Sequence, residues 1–544
     1  MLNRSRRMNH PVKRGICTAL GTLMLLNLSA CGSNTGGTVT TDDVTEPSGE
    51  ETEEETKGSD SVTEFGERET FVSGDFQADA CYYEAEDATL NGAAYIDSSR
   101  SGYSGTGYVE GFFNDGDGVT FNISVEQSGF YDLNFRTGSL DTKTNYVYVD
   151  GEKVGELTVG KTNGFENSIY NHIYLAAGDH TVSYMKYWGY VAVDTLAVTA
   201  SQTQDYPDSF YEVDSELSNP NATTEAKKVY AYMCEVYGHA FLSGQYCDGG
   251  MYGAEMQAIR NATGGITDGK YPAVLGLDLM EYTPSRVENG TNGVSVEYAK
   301  QWWEEGGIVT FCWHWNAPSK YITGNWYSAF YTDSTNIDLA KIMSGEDEEG
   351  YDLLMADIDA IAAELKELQD AGVPVLWRPL HEASGGWFWW GAGGAEAYKE
   401  LYILLYDKLT NEYGLNNLIW VWNGQDADWY PWDEYVDIVG TDIYPGEHVY
   451  TSQIGSFLET RESAGGNKMV ILSENGCLFD PETAYRDGAM WGLWCTWGGE
   501  LVITSSSIAV LSETYTEKEQ LIKTYESPYT ITLDELPDWD TYME

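Results

Sequence analysis

Eight short apolar, β-rich runs recur in the last 319 residues of this chain, at 239–242, 273–278, 307–313, 373–380, 418–422, 438–443, 469–473 and 490–496. They are nearly continuous in apolar residues rather than alternating. Strands of that kind are buried on both faces, as in a parallel sheet covered by helices. The intervening chain has room for those helices. In 351–371, Leu354, Ile358, Ile361, Leu365 and Leu368 fall on one helical face, and Gly372 follows where a stop is expected. The stretch 395–413 reads the same way. Eight such repeats over roughly 300 residues predict an α/β fold of the (β/α)₈ barrel type.

Barrels of this type carry their chemistry at the C-terminal ends of the strands, and polar residues collect there. Asp278 ends the second run, His314 and Asn316 the third, His381 and Glu382 the fourth and Asn423 the fifth. Asp442 and Tyr444 end the sixth, Glu474 and Asn475 the seventh, and Trp497 the eighth. The fourth run leads into Gly386-Trp387-Phe388-Trp389-Trp390, an aromatic wall suited to the flat face of a sugar ring. Two carboxyls across such a mouth can cleave a glycosidic bond. About 5–5.5 Å apart they retain configuration through a covalent intermediate, and about 6.5–9.5 Å apart they invert it. Strands four and seven face each other, so a retaining pair is expected. Glu382 beside Trp387 would be desolvated and hold its proton as acid, while Glu474 would be the ionised nucleophile. The competing reading is an ion pair of either acid with Arg378. Trp326, Trp422, Trp429 and Trp497 are further stacking candidates, each with core packing as the alternative.

The 544 residues exceed one ordinary domain. A formal charge of −56 from 30 basic and 86 acidic residues excludes nucleic acid as a partner and suits an exported protein acting on a neutral polymer. Residues 1–30 hold Arg4, Arg6, Arg7, Lys13 and Arg14 before an apolar run too short to span a membrane, which reads as a signal segment. Leu28-Ser29-Ala30-Cys31 resembles a bacterial lipobox, which implies cleavage before Cys31 and its acylation, hence a lipoprotein on the outer face of the membrane. The alternative is an ordinary secretory cut nearby. Loss of 1–30 removes five basic and no acidic residues and takes the charge to −56 − 5 = −61. Residues 31–77 are rich in Gly, Ser, Thr and acids and read as an unfolded acidic linker. Six cysteines remain beyond the leader, in no zinc-binding spacing. Cys234 with Cys247, or Cys477 with Cys495, could pair if oxidised, and free buried thiols are the alternative.

Residues 78–200 carry short alternating runs between turns, with Asp150-Gly151 placed as in a hairpin, and read as an all-β sandwich. Tyr83-Glu84-Ala85-Glu86-Asp87-Ala88, the segment Gly102-Tyr103-Ser104-Gly105-Thr106-Gly107-Tyr108-Val109, and Val193-Asp194-Thr195-Leu196 resemble carbohydrate-binding module family 35. That resemblance implies a structural Ca²⁺ held by Glu84, Glu86 and Asp194, an oxygen-only ligand set of the kind calcium takes. Tyr187, Trp188 and Tyr190 are stacking candidates there. Residues 201–225 read as a linker, and 226–544 as the barrel.

The barrel half resembles glycoside hydrolase family 26, in Gly244-Gln245, Tyr271-Pro272-Ala273-Val274-Leu275-Gly276-Leu277-Asp278, Trp313-His314-Trp315, Trp377-Arg378-Pro379-Leu380-His381-Glu382, Gly440-Thr441-Asp442-Ile443-Tyr444 and Ser473-Glu474. The resemblance implies a retaining endo-β-1,4-mannanase that needs no cofactor for catalysis, with Glu382 as acid/base and Glu474 as nucleophile. His314, His381, Trp387, Asp442, Tyr444 and Trp497 would line the sugar site. The implied partner is β-mannan or a related neutral polysaccharide, the membrane is met only through a lipid anchor, and a monomer is expected. A β-1,3-1,4-glucanase or β-1,3-xylanase on the same scaffold, and a non-catalytic glycan-capture lipoprotein, are the alternatives.

Overall fold

The computed structural model describes residues 80–201, 206–505 and 508–543. The signal segment, Cys31, the whole acidic stretch 31–77 and residues 78 and 79 lie outside them.

The first half is a sandwich of eleven strands: β1 (Cys81–Glu84), β2 (Thr89–Asn91), β3 (Tyr95–Asp97), β4 (Tyr108–Glu110), β5 (Gly118–Val125), β6 (Gly129–Gly138), β7 (Lys143–Val149), β8 (Glu152–Val159), β9 (Glu166–Leu175), β10 (Gly178–Trp188) and β11 (Ala192–Ala200). One sheet runs β3-β4-β11-β6-β9, with β1 also on β11, and the other runs β2-β5-β10-β7-β8. The strands alternate, so Val119, Phe121, Ile123, Phe135, Val147, Val182, Val193 and Leu196 meet in one core. The β7–β8 hairpin turns through Asp150 and Gly151, both left-handed at φ 53° and 89°, the form that matches strand twist.

The second half opens on a minor pair and then closes a barrel. β12 (Phe241–Leu242) pairs with Thr530–Ile531 outside the barrel. The barrel is β13 (Gly244–Tyr246), β14 (Val274–Asp278), β15 (Ile308–Trp313), β16 (Val375–Pro379), β17 (Leu418–Trp422), β18 (Ile438–Ile443), β19 (Met469–Asn475) and β20 (Trp494–Thr496). Six of the eight expected runs contain these strands, and in a seventh, 469–473, the strand runs on two residues to Asn475. The first does not: residues 239–242 are the apolar lead-in, and the strand itself is the three-residue Gly244–Tyr246, whose glycine and glutamine hide it. The last expected run is mostly lead-in too, because only 494–496 pair.

Helix α1 (Thr224–Val236) precedes the barrel. Helix α2 (Glu348–Asp370) is capped by the Asp347 side chain accepting from Gly350 N at 3.0 Å and buries Leu354, Ile358, Ile361, Leu365 and Leu368. Gly372, at φ 73°, ends it as a left-handed cap. Helix α3 (Ala395–Tyr406) passes into a π turn, Asp407–Glu412, instead of continuing as α.

The stretch expected to be a free linker is tied to the barrel after residue 206. Tyr211 is buried with its hydroxyl donating to Gly488 O at 2.8 Å, and Asp214 N donates to Asn467 O at 3.1 Å. The sandwich also touches the barrel: Thr451 Oγ1 donates to Val154 O at 3.4 Å, and the Arg486 guanidinium lies 3.9 Å from the Tyr174 ring centre. Cys234, Cys247, Cys477 and Cys495 are thiols, so neither expected disulfide is formed.

Candidate active site

The apolar runs give way to polar residues where the strands reach the rim, and the rim gathers them. Glu382 follows β16, and its carboxylate accepts from Trp387 Nε1 at 2.8 Å. Glu474 sits in β19, is 4 % exposed, and accepts from Tyr444 Oη at 2.5 Å and from the Arg378 guanidinium. Carboxylate oxygens of Glu382, Asp442 and Glu474 all lie within 4.8 Å of one another. So close an approach of the nearest oxygens fits the retaining spacing better than the inverting one.

Buried Arg378 supplies the positive charge of this cluster. From β16 it donates to Asp442 Oδ2 and Tyr246 Oη, each at 3.0 Å, as well as to Glu474. Asp442 also accepts from Asn423 Nδ2 at 2.9 Å and Ser473 Oγ at 2.6 Å. A register shift between β18 and β19 sets Asp442 opposite Glu474, the re-aiming a bulge provides beside active sites. The three acids could group around a metal ion, but the guanidinium already binds two of them.

These contacts divide the roles of the two glutamates. Burial raises the pKa of Glu382 well above the ordinary value, and the charges of Asp442 and Glu474 push it further up. Burial and Asp442 raise Glu474 as well, but Arg378 and the Tyr444 hydroxyl oppose them. Glu474, held by the guanidinium and the phenol, is the acid that ionises first. Glu382 keeps the proton.

A second chain of contacts positions the wall behind Glu382. Asp278 Oδ2 binds His314 Nδ1 at 2.7 Å, and His314 Nε2 lies 3.2 Å from His381 Nε2. Burial, reinforced by Arg378 and His314, holds His381 well below its ordinary pKa, so it is neutral. Trp390 Nε1 donates to His381 O at 2.8 Å. On either side of His381, Leu380 and Glu382 are left-handed, both at φ 53°. Such conformations cost about 1–3 kcal/mol each and collect at functional sites. Here they turn the chain so that Glu382 N meets Asn423 O at 2.7 Å.

The structure thus brings together Glu382, Glu474, His314, His381, Trp387, Asp442 and Tyr444. Trp497 joins them, its ring 5.7 Å from His314 and 4.6 Å from Tyr246. Trp422 is core, fully buried against Tyr430. Trp326 lies under the Arg286 guanidinium and Trp429 against Tyr398. The ion pair weighed as the competing reading is formed, between Arg378 and Glu474, while Tyr246 and the bridge from Arg378 to Asp442 went unseen in the sequence. The only signal was the position of Tyr246 just after Gly244-Gln245.

In the sandwich, Glu84 Oε1 accepts from Ser104 Oγ at 2.7 Å and Glu86 Oε1 from Gly107 N at 3.2 Å. The second oxygen of each, Glu84 Oε2 and Glu86 Oε2, is buried without a partner. Asp194 is differently engaged, by Ser104 N at 2.8 Å and by Arg136. Tyr187, Trp188 and Tyr190 are exposed.

A parallel eight-stranded barrel that brings two carboxyls within 4.8 Å at its rim, one held more firmly in its protonated form than the other, has the layout of a glycoside hydrolase. Residues 218–535 match the model of glycosyl hydrolase family 26, and residues 81–201 that of carbohydrate binding module family 35. The chain belongs to glycoside hydrolase family 26. It is 38 % identical to a mannan endo-1,4-beta-mannosidase of Thermothelomyces thermophilus, over 85 % of this chain and 91 % of the relative. It is 35 % identical to mannan endo-1,4-beta-mannosidase B of Piromyces sp, over 86 % and 79 %. Among solved structures it resembles a GH26-CBM35 beta-(1,4)-mannanase of Podospora anserina, at 38 % identity and TM-score 0.59, covering 85 % of this chain and 99 % of that one. A ruminal GH26 endo-beta-1,4-mannanase is similar at 30 % identity and TM-score 0.57, with 85 % and 99 % covered.

Proposed function

We propose that the protein is a retaining endo-β-1,4-mannanase in which Glu474 is the nucleophile and Glu382 the acid/base. The observation that carries this reading is the approach of the two carboxylates within 4.8 Å at the ends of β16 and β19. Glu474 attacks the anomeric carbon while Glu382 protonates the leaving oxygen. Glu382 then takes a proton from water, and that water displaces Glu474 with configuration retained. Tyr444 and Arg378 aim the nucleophile. Trp387, anchored to Glu382, offers its ring to the bound sugar, and His314 and His381 line the wall behind Glu382. The relatives' substrate favours mannan over the glucan and xylan readings.

Reducing-sugar release from galactomannan, barley β-glucan and β-1,3-xylan tests the substrate. Release from the glucan alone would replace the mannanase reading, and release from none would favour a glycan-capture protein. Glu474→Ala is expected to lose nearly all turnover while keeping polymer binding, since the nucleophile and the sugar contacts are different groups. Full activity in that variant would end its assigned role.

The sandwich is read as a sugar-binding module with a structural Ca²⁺. Support comes from the two partnerless buried oxygens of Glu84 and Glu86, which suit an oxygen-seeking cation. Asp194, held by Arg136, would turn to join them or stay outside the ligand set. Chelation with EGTA should lower the melting temperature of the holoprotein by several degrees, and calcium should restore it. Unchanged melting would remove the ion. The enzyme is further read as a cell-surface lipoprotein acylated on Cys31, supported by the basic segment, apolar run and lipobox-like residues before it.

A further inference from the structure

The neighbouring barrel strands β14 and β15 set Asp278 opposite Cys312 in register, so their side chains leave the sheet on the same side. His314 follows Cys312 by two residues, just past the end of β15. Three different donors converge there. A carboxylate oxygen of Asp278, the Cys312 sulfur and a ring nitrogen of His314 all lie within 4.8 Å of one another. His314 Nδ1 is their common point, 2.7 Å from Asp278 Oδ2 and 3.9 Å from Cys312 Sγ. Cys312 is fully buried, while the Asp278 side chain keeps 12 % of its surface open. Among the described residues no Lys or Arg forms an ion pair with Asp278. The group of Glu382, Asp442 and Glu474 differs in this, since Arg378 already pairs with two of its members.

The donors are oxygen, nitrogen and sulfur. Calcium and magnesium take oxygen ligands. A borderline-soft ion such as Zn²⁺ accepts carboxylate, imidazole and thiolate together, and three protein ligands leave its fourth position to water. A carboxylate and a thiolate balance a divalent charge, which makes a buried position tolerable. The approach is marked by charge. Asp248, exposed and two residues beyond Tyr246, lies within electrostatic reach of Asp278, Glu255 and Glu281, and an acidic edge draws cations. No local spacing announces the site, because its ligands come from two strands and 36 positions separate Asp278 from His314.

We propose that Asp278, Cys312 and His314 bind a divalent ion of the zinc type, and that its binding switches the enzyme off. With Asp278 as partner, His314 carries its proton on Nδ1, and Nε2 of the neutral ring accepts from His381 Nε2, 3.2 Å away. The ion takes Nδ1. The imidazole proton moves to Nε2, and the Cys312 thiol proton leaves to solvent, as coordinating thiols lose theirs. His314 Nε2 then points a donor at a donor. His381 must turn away or shift its own proton to Nδ1, which is buried without a partner. Either response disturbs the wall of the sugar site behind Glu382.

Titration of the full chain with Zn²⁺, by calorimetry with calcium present throughout, reads the site without substrate and therefore apart from the mannanase reading. The wild type should bind a Zn²⁺ that Cys312→Ala holds at least roughly 100-fold more weakly, the upper end of what losing even an outer partner of a metal ligand costs. Co²⁺ in its place should give a thiolate-to-metal absorption band that the variant lacks. Polymer cleavage by the wild type should fall as Zn²⁺ is added and return after chelation and resupply of calcium. The variant, measured against its own rate without zinc, should need a correspondingly higher concentration. Cys81→Ser removes an exposed thiol of the sandwich and should change neither result. Should Cys312→Ala melt early, Asp278→Asn carries the same binding test, because its amide oxygen still accepts from His314 N. Equal Zn²⁺ binding by wild type and variant, no thiolate band with Co²⁺ in the wild type, or binding at Cys312 with turnover undiminished would each overturn the proposal. A wild type that leaves mannan uncut without any zinc would defeat the mannanase reading alone.

Discussion

Asp442 touches no reacting atom yet sets the charge of both glutamates, so its removal has a definite sign. Its carboxylate raises the pKa of Glu382 and anchors Arg378. In Asp442→Asn the negative charge beside Glu382 is gone, and Glu382 gives up its proton more readily. The alkaline limb of the kcat/KM profile should therefore move to lower pH, because the acid that protonates the leaving group ionises sooner. Arg378 also loses a buried charged partner, which costs about 3–5 kcal/mol when such pairs are broken, so a marked drop in melting temperature should accompany the shift. A pH–rate series beside a thermal melt checks both, and an alkaline limb that stays in place or moves upward would contradict the charge argument. At this scale the two catalytic acids were legible, because each interrupts an apolar run. An ion pair of Arg378 with one of the acids was legible as the competing reading, but its bridge to Asp442, 64 positions away in the chain, was not, because nothing local marks that partner.

Elements were legible where burial leaves a period and were lost where it does not. The barrel strands β14 to β18 stand inside their apolar runs, β19 starts with its run and passes it by two residues, and α2 follows its five-residue stripe. In the sandwich, β8 (EKVGELTV) and most of β9 have one solvent-facing side rich in charged and polar residues, which thins the alternation to a few apolar positions. Helix α2 also carries an anomaly that its period conceals. Asp357 faces inward at 3 % exposure, and its carboxylate accepts from Trp315 Nε1 at 2.8 Å. Burial pushes its pKa up from 3.8 to about 7. Between those values the folded chain binds more protons than the unfolded one, so this residue makes stability fall as pH climbs through that window. Asp357→Asn keeps an acceptor for Trp315 without the charge. It should raise the melting temperature at pH 8 and change it little at pH 4, where the carboxyl is neutral in the folded state. At about 1.4 kcal/mol per unit, the shift caps the gain near 4 kcal/mol, less whatever the new amide donors cost on burial. A variant that melts lower at pH 8 than the wild type would show the ionised carboxylate to be better accommodated than its burial implies.

The whole molecule combines a large negative charge with a proposed place on a membrane, and the two can be separated by experiment. With 86 acidic and 30 basic residues, the protein is repelled by the anionic lipids of a membrane surface, and adsorption by charge is excluded. On the lipoprotein reading, attachment would depend on covalent lipid at Cys31, whose hold comes from buried hydrocarbon and is insensitive to salt. The neutral polymer it acts on feels little of the protein's field, so the charge serves solubility without slowing the approach of substrate. Fractionation of cells expressing the full chain checks this. The wild type should stay with membranes through a high-salt wash and leave with detergent, while Cys31→Ser should appear in the soluble exported fraction with kcat/KM unchanged, since the substitution lies far along the chain from the barrel. Release of the wild type by salt alone, or retention of Cys31→Ser on membranes, would show that something other than an acylated cysteine holds the enzyme there.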